Sequence, residues 1–130
     1  MISQYLYIST APKLTREDVD HILESASRNN AASEITGMLL YNGRNFLQLL
    51  EGDEAELIAL MVRIMHDPRH TGVSMLRHAK VPERAFPEWS MRRIMLADDI
   101  TVRRKDLKEL LPTTLDPAVR EITLNFATLN

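Results

Sequence analysis

Gln48 sits in the run Phe46-Leu47-Gln48-Leu49-Leu50, a lone carboxamide in an apolar stretch. A second apolar run, Ile35 to Tyr41, precedes it, and Asn42-Gly43 stands between the two. That dipeptide suits a type I′ hairpin turn, whose two central residues both need positive φ. A two-residue turn predicts that Leu39 faces Phe46 and that Gly37 faces Gln48. Alternation then places Ile35, Leu39, Phe46 and Leu50 on the face that carries Gln48. The expected product is an apolar slot floored by one amide, with only a hydrogen atom from Gly37 beside it. A buried glutamine needs partners for both its carbonyl and its NH2 group. Two further clusters could meet it: Asn29-Asn30, and Arg63 with Asp67, four apart and therefore on one helical face. Together they supply donors for two carbonyls and an acceptor for an N–H, the pattern of a planar imide edge. Each cluster alone also has an ordinary reading, as a core glutamine bonded to backbone or a solvated ion pair.

The composition narrows the choices. A chain of 130 residues is long enough for one domain with its own core. The net charge of −2 carries no electrostatic footprint for nucleic acid or an anionic membrane. There is no cysteine, which excludes disulfides and thiolate chemistry. No run approaches a membrane span and Met1 to Tyr5 is unlike a secretion signal, so a cytoplasmic location is expected. His66, Asp67 and His70 invite a metal reading, but Pro68 interrupts the helix that would align them, and no metal is expected.

These groups must be held by elements legible in the periodicity. Residues 1–10 alternate, with Leu6 and Ile8 on one side and Tyr5, Tyr7 and Ser9 on the other, which predicts a strand. Its phenols are the early groups able to reach Gln48. Thr15 with Asp18 predicts a capped helix over 16–28, with Val19, Ile22 and Ala26 inward and a stop at Asn29-Asn30. Asp53 with Glu56 predicts a second capped helix, with Leu57, Leu60, Met61 and Ile64 inward. Strands are expected over 72–81 and around Trp89 to Leu96, then two amphipathic helices carrying Leu107, Leu110 and Leu111, and Val119, Ile122 and Phe126. Strand–helix–strand–strand–helix–strand is the order of a ferredoxin-like α+β sandwich, here with a fifth strand. Right-handed crossovers put both early helices on one face of the sheet. Met38, Leu40, Leu47 and Leu49 make the hairpin apolar on its other face too, so the two C-terminal helices are expected to cover that side.

A slot between the first two helices, floored by Gln48 and edged by Asn30, Arg63 and Asp67, matches the pyrimidine edge of a flavin. Over residues 1–96 the sequence resembles a BLUF domain, a blue-light sensor that uses FAD. The resemblance rests on Leu-Tyr-Ile-Ser at 6–9, Asn-Asn at 29–30, Ile-Thr-Gly-Met-Leu-Leu-Tyr at 35–41 and Phe-Leu-Gln-Leu-Leu-Glu-Gly at 46–52. Asp-Pro-Arg-His at 67–70 and Arg-x-Phe-x-x-Trp-x-Met at 84–91 complete it. It implies that Tyr7 gives an electron and proton to the excited flavin, and that Gln48 bridges Tyr7 and the flavin N5/C4 carbonyl edge. It further implies Asn30 on the C4 carbonyl, Asp67 on N3–H and Arg63 on the C2 carbonyl, with Asn29 and His70 toward the ribityl and phosphate side. Ile22 and Ile64 would sandwich the ring, Phe46 would lie near its benzenoid end, and Trp89 and Met91 would carry the signal. One departure is Ile8, where relatives commonly have a basic residue after the tyrosine.

The resemblance thus implies a non-enzymatic photoreceptor binding FAD non-covalently, with FMN or riboflavin as substitutes. Residues 1–96 would be the photosensory domain and residues 97–130 a helical cap on the sheet rather than a separate domain. The short, stand-alone type implies an unidentified downstream protein and a homo-oligomer. Two other readings compete: a photo-inactive ferredoxin-like module holding another planar metabolite, and a small hydrolase, for which the sequence lacks a glycine-rich anion loop.

Overall fold

A computed structural model describes residues 1–11, 14–69, 71–87, 92–95 and 100–128. The elements are β1 (Ile2–Thr10), α1 (Arg16–Ala32), β2 (Thr36–Tyr41), β3 (Asn45–Gly52), α2 (Glu54–Met65), β4 (Thr71–Val81), β5 (Arg92–Met95), α3 (Ile100–Leu110) and α4 (Pro117–Ala127). The five strands form one sheet in the order β4-β1-β3-β2-β5. β1 runs antiparallel to both β3 and β4, β2 is antiparallel to β3, and β5 joins β2 in parallel. The first four strands therefore make the expected ferredoxin-like sheet, and β5 extends it beside β2.

Alternation along β1, β2 and β3 sorts their side chains into two cores. Tyr5, Tyr7, Ile35, Leu39, Phe46 and Leu50 meet Val19 of α1 and Leu57, Leu60 and Met61 of α2 on one face. On the other, Leu6, Met38, Leu40, Leu47 and Leu49 meet Leu107, Leu111, Val119, Leu124 and Phe126 of the C-terminal helices and their flanks. A fully buried leucine contributes about 1.5–3 kcal/mol relative to an exposed one. Without α3 and α4 the second face would expose a row of such side chains. Leu110, expected inward, is 39% exposed instead, and Leu115 in the α3–α4 connection fills the core in its place.

Three local expectations are overturned. In the hairpin, Tyr41 pairs with Phe46, Leu39 with Gln48 and Gly37 with Leu50, two residues away from the register a type I′ turn would set. The Asn42 side chain accepts from the N–H groups of Arg44 (3.0 Å) and Asn45 (2.7 Å), which builds a longer loop around an Asx-type turn. A slip of two preserves which face each residue takes. Secondly, α1 runs through Asn29 and Asn30 and ends at Ser33. Glu34, at φ 55°, supplies the left-handed residue, and Ile35 N–H returns to the Asn30 carbonyl (2.8 Å) in a Schellman-type closure. Thirdly, Asp53 is the N-cap of α2 but makes no side-chain capping bond. The Thr15–Asp18 capping box on α1 is present in both directions.

Gly37 has a different role from the one its expected neighbour suggested. At φ +156°, a Cβ built on it would lie 1.8 Å from the backbone oxygen of Leu49 on the paired strand. No side chain can relax away from that contact, because the obstacle is backbone. Gly37→Ala is expected to cost about 3 kcal/mol or more, or to abolish folding, read by urea or thermal unfolding.

Candidate functional site

Tyr7 and Gln48 are direct cross-strand partners at the centre of the sheet. The Tyr7 hydroxyl donates to the Gln48 Oε1. Both side chains are buried, Tyr7 2% exposed and Gln48 5%. Leu39 is the partner of Gln48 on its other side, so the amide lies between a phenol and an aliphatic group. Above them a cleft, partly open to solvent, lies between α1 and α2.

The structure brings most of the sequence-predicted site residues to this cleft. β1 and β3 contribute Tyr7, Phe46 and Gln48. α1 contributes Ile22, Asn29 and Asn30, and α2 with its following turn contributes Arg63, Ile64 and Asp67. His70, Trp89 and Met91 lie outside the described residues. Asp67 does not continue the helix of Arg63 as expected: α2 ends at Met65, and Asp67 stands in the turn before Pro68. Its carboxylate receives Arg69 there, Nε at 3.0 Å to both oxygens and a terminal nitrogen at 2.6 Å.

Arg69 is a cleft residue that the sequence reading did not name. The signal for it was local: an Asp two positions before it accepts its backbone N–H (2.9 Å), so the side chain folds back onto the same carboxylate. Ser25, Ala26 and Leu60 complete the walls and carry no comparable signal.

Electrostatics keep the phenol protonated. Burial pushes the Tyr7 pKa well above its ordinary 10.0, and the nearby negative charge of Asp67 pushes it further the same way. Tyr7 therefore meets Gln48 as a neutral donor. The hydrogen bond from Arg69 to Asp67 holds the guanidinium above its ordinary value, so Arg69 stays charged.

Asn30 is the anomaly. It is 1% exposed, and both its Oδ1 and its Nδ2 are buried without a hydrogen-bond partner. Unmet buried polar atoms cost about 1–3 kcal/mol each, and native proteins rarely carry two on one side chain. Here the residue lines a cleft whose floor is the Tyr7–Gln48 pair.

Comparison with known proteins places the chain in a family. Residues 2–92 match the family described as sensors of blue-light using FAD. This chain belongs to the BLUF family. It is 42% identical over 87 residues to the photoactivated adenylate cyclase subunit beta of Euglena longa, covering 65% of this chain and 10% of that protein. It is 30% identical over 108 residues to the blue light- and temperature-regulated antirepressor BluF of Escherichia coli, covering 83% of this chain and 25% of that protein. The chain thus spans between a tenth and a quarter of these relatives' lengths. Among solved structures, BlrP1 of Klebsiella pneumoniae aligns with a TM-score of 0.84 at 30% identity, covering 98% of this chain and 33% of that one. The dark-state structure of the BLUF protein BlrB aligns with a TM-score of 0.76 at 28% identity, covering 97% and 93%.

The donors and acceptors of this BLUF cleft fit a flavin. The Asn30 amide offers one donor and one acceptor with no other use, and Asp67 with Arg69 offers an acceptor beside fixed donors. Asn30→Leu is expected to stabilise the flavin-free protein by about 1 kcal/mol or more in urea unfolding, while weakening flavin binding roughly tenfold or more. Opposite signs in the two measurements distinguish a binding group from a structural one. Alkali supplies a second test. A folded-state pKa raised above the unfolded value stabilises fully below pH 10.0 and is lost as pH rises past it. Stability should fall above pH 10, less steeply in Tyr7→Phe; Tyr5 and Tyr41 shift the same way and account for the remaining slope.

Proposed function

We propose that this chain is a blue-light photoreceptor that holds FAD non-covalently between α1 and α2 and signals by rearranging the hydrogen bonds of Gln48. The observation that supports this most directly is the unpartnered Asn30 amide lining the same cleft as the Tyr7–Gln48 hydrogen bond. FMN or riboflavin would substitute, since the polar groups of the cleft address the ring. A BlrP1 structure described as holding FMN is in keeping with that tolerance in a relative.

A bound flavin supplies, on absorbing blue light, an oxidant strong enough to take an electron from a phenol. Tyr7 is the group placed to give it, and its neutral state means that the electron leaves with a proton. The Gln48 carbonyl, already the acceptor of the Tyr7 O–H, takes or relays that proton. A carboxamide has unlike ends, so rotation or tautomerisation of Gln48 replaces one bonding pattern with another. Return of the electron and proton to Tyr7 leaves Gln48 in the new arrangement. Asn30 and Asp67 with Arg69 hold the imide edge meanwhile, with Arg63 on the same wall and Asn29 toward the cofactor's chain. Ile22 and Ile64 face the ring from the two helices, and Phe46 closes one end.

Signalling is assigned to the stretch bearing Trp89 and Met91 and to residues 97–130, a helical cap on the far face. The packing of α3 and α4 against β1, β2 and β3 supports that cap. The output is a downstream protein or a second copy of the chain, with no catalysis of its own. The cyclase activity named for the Euglena relatives is not carried over, because the match covers a tenth of those subunits. No helix among the described residues is long and apolar enough to cross a membrane.

The test is an absorption spectrum of the purified protein before and after blue light. A yellow protein whose flavin band moves to the red and relaxes in darkness supports the reading. A bound flavin with no shift leaves a photo-inactive ligand-binding module in its place. Gln48→Leu should stay yellow and lose the shift, and Tyr7→Phe should lose it as well. A normal photocycle in Gln48→Leu overturns the role given to the amide.

A further inference from the structure

Glu51 lies on β3 three residues after Gln48 and so points to the opposite face, roughly 10 Å along the strand. Its carboxylate is fully buried, yet every contact it makes is satisfied. One oxygen accepts the Phe86 N–H (2.9 Å); the other accepts the Ala85 N–H (2.9 Å) and Gln4 Nε2 (3.1 Å). The chain of bonds continues across the sheet. Gln4 Oε1 on β1 accepts from Arg77 Nε on β4 (3.2 Å), and a terminal nitrogen of Arg77 reaches Asp116 Oδ2 (3.3 Å). Asp116 is the N-cap of α4, its other oxygen accepting the Ala118 N–H at 2.8 Å. Arg84 fastens the near end, donating to Thr36 Oγ1 on β2 and to the Glu51 carbonyl, both at 2.9 Å.

We infer that Glu51 is a positioning residue for the output of the light reaction, tying both residues 84–86 and, through Gln4 and Arg77, the N-terminus of α4 to the strand that carries Gln48. The inference rests on the photoreceptor reading above. Residues 84–86 directly precede the stretch holding Trp89 and Met91. A displacement of β3 when Gln48 changes partners is thus delivered to both output elements by one carboxylate. The bonds are directional and shielded from water, so they pass on a shift that an apolar contact would absorb by sliding.

The experiment compares wild type, E51Q and D116N, recording the red shift, the dark-recovery rate and light-minus-dark amide hydrogen exchange at 84–86 and 117–127. Glu51→Gln sets an NH2 against a backbone N–H on the far face and leaves the flavin cleft untouched. Asp116→Asn keeps a good N-cap residue and removes the charge that meets Arg77. The expected result is an unchanged red shift in both, a dark-recovery rate altered about twofold or more in E51Q, and a light-dependent exchange difference in α4 lost or halved in both. A full exchange difference in both variants overturns the inference, as does a wild type that shifts red with no exchange difference in α4. If E51Q fails to fold, D116N decides alone. Absence of a red shift in the wild type is the separate outcome that removes the photoreceptor reading itself.

Discussion

The hydrogen bond from Tyr7 to Gln48 spans the two central strands of the sheet, and its requirements shape what surrounds it. A phenol and an amide are directly opposed only where β1 and β3 pair in one register. Central strands are flanked on both edges, and these, apolar on both faces, must be covered on both. β3 meets this with residues buried from Phe46 to Gly52, so helices are needed above and below. The cleft is what remains where the upper cover is incomplete, between α1 and α2. The C-terminal helices complete the lower cover, directly beneath the strand that carries Gln48.

Much of this was legible because period-two alternation is insensitive to the details of the turn. The hairpin register was misjudged by two residues, since Asn42 uses its side chain to cap the loop rather than its backbone to form a two-residue turn. An even slip leaves every side chain on its face, so the membership of both cores survived. Helix α1 was stopped too early for a related reason. Asn29 and Asn30 have low helix propensity and tolerate the left-handed conformation, but Glu34 takes that position and Asn30 stays helical with its amide in the cleft. A residue placed against its local preference, with two unmet polar atoms, is where local rules are expected to fail for functional reasons. Arg69 escaped because its role depends on the chain folding back through Asp67 and Pro68, a turn that periodicity does not report.

The far face was legible in its apolar positions and illegible in its polar ones. Nothing in the sequence marks Glu51 as buried, because a carboxylate at the end of a strand is ordinarily solvated. Its burial follows from where the loop after β4 returns, which brings the amides of Ala85 and Phe86 over the end of β3. No spacing rule connects residues 34 and 35 positions apart.

The two buried polar clusters of this sheet can be weighed by one criterion, whether their hydrogen bonding is complete. Gln4 on the far face has both ends of its amide engaged, and Glu51 has three donors on its two oxygens. Such a cluster stabilises and orients the fold by itself, and a ligand entering it would have to break bonds already made. On the near face Asn30 has neither end engaged, and the desolvation cost of both atoms is uncompensated in the protein alone. The same chemical group, a buried carboxamide, is therefore structural in one place and receptive in the other. That contrast marks the near face as the one with hydrogen bonds left to make.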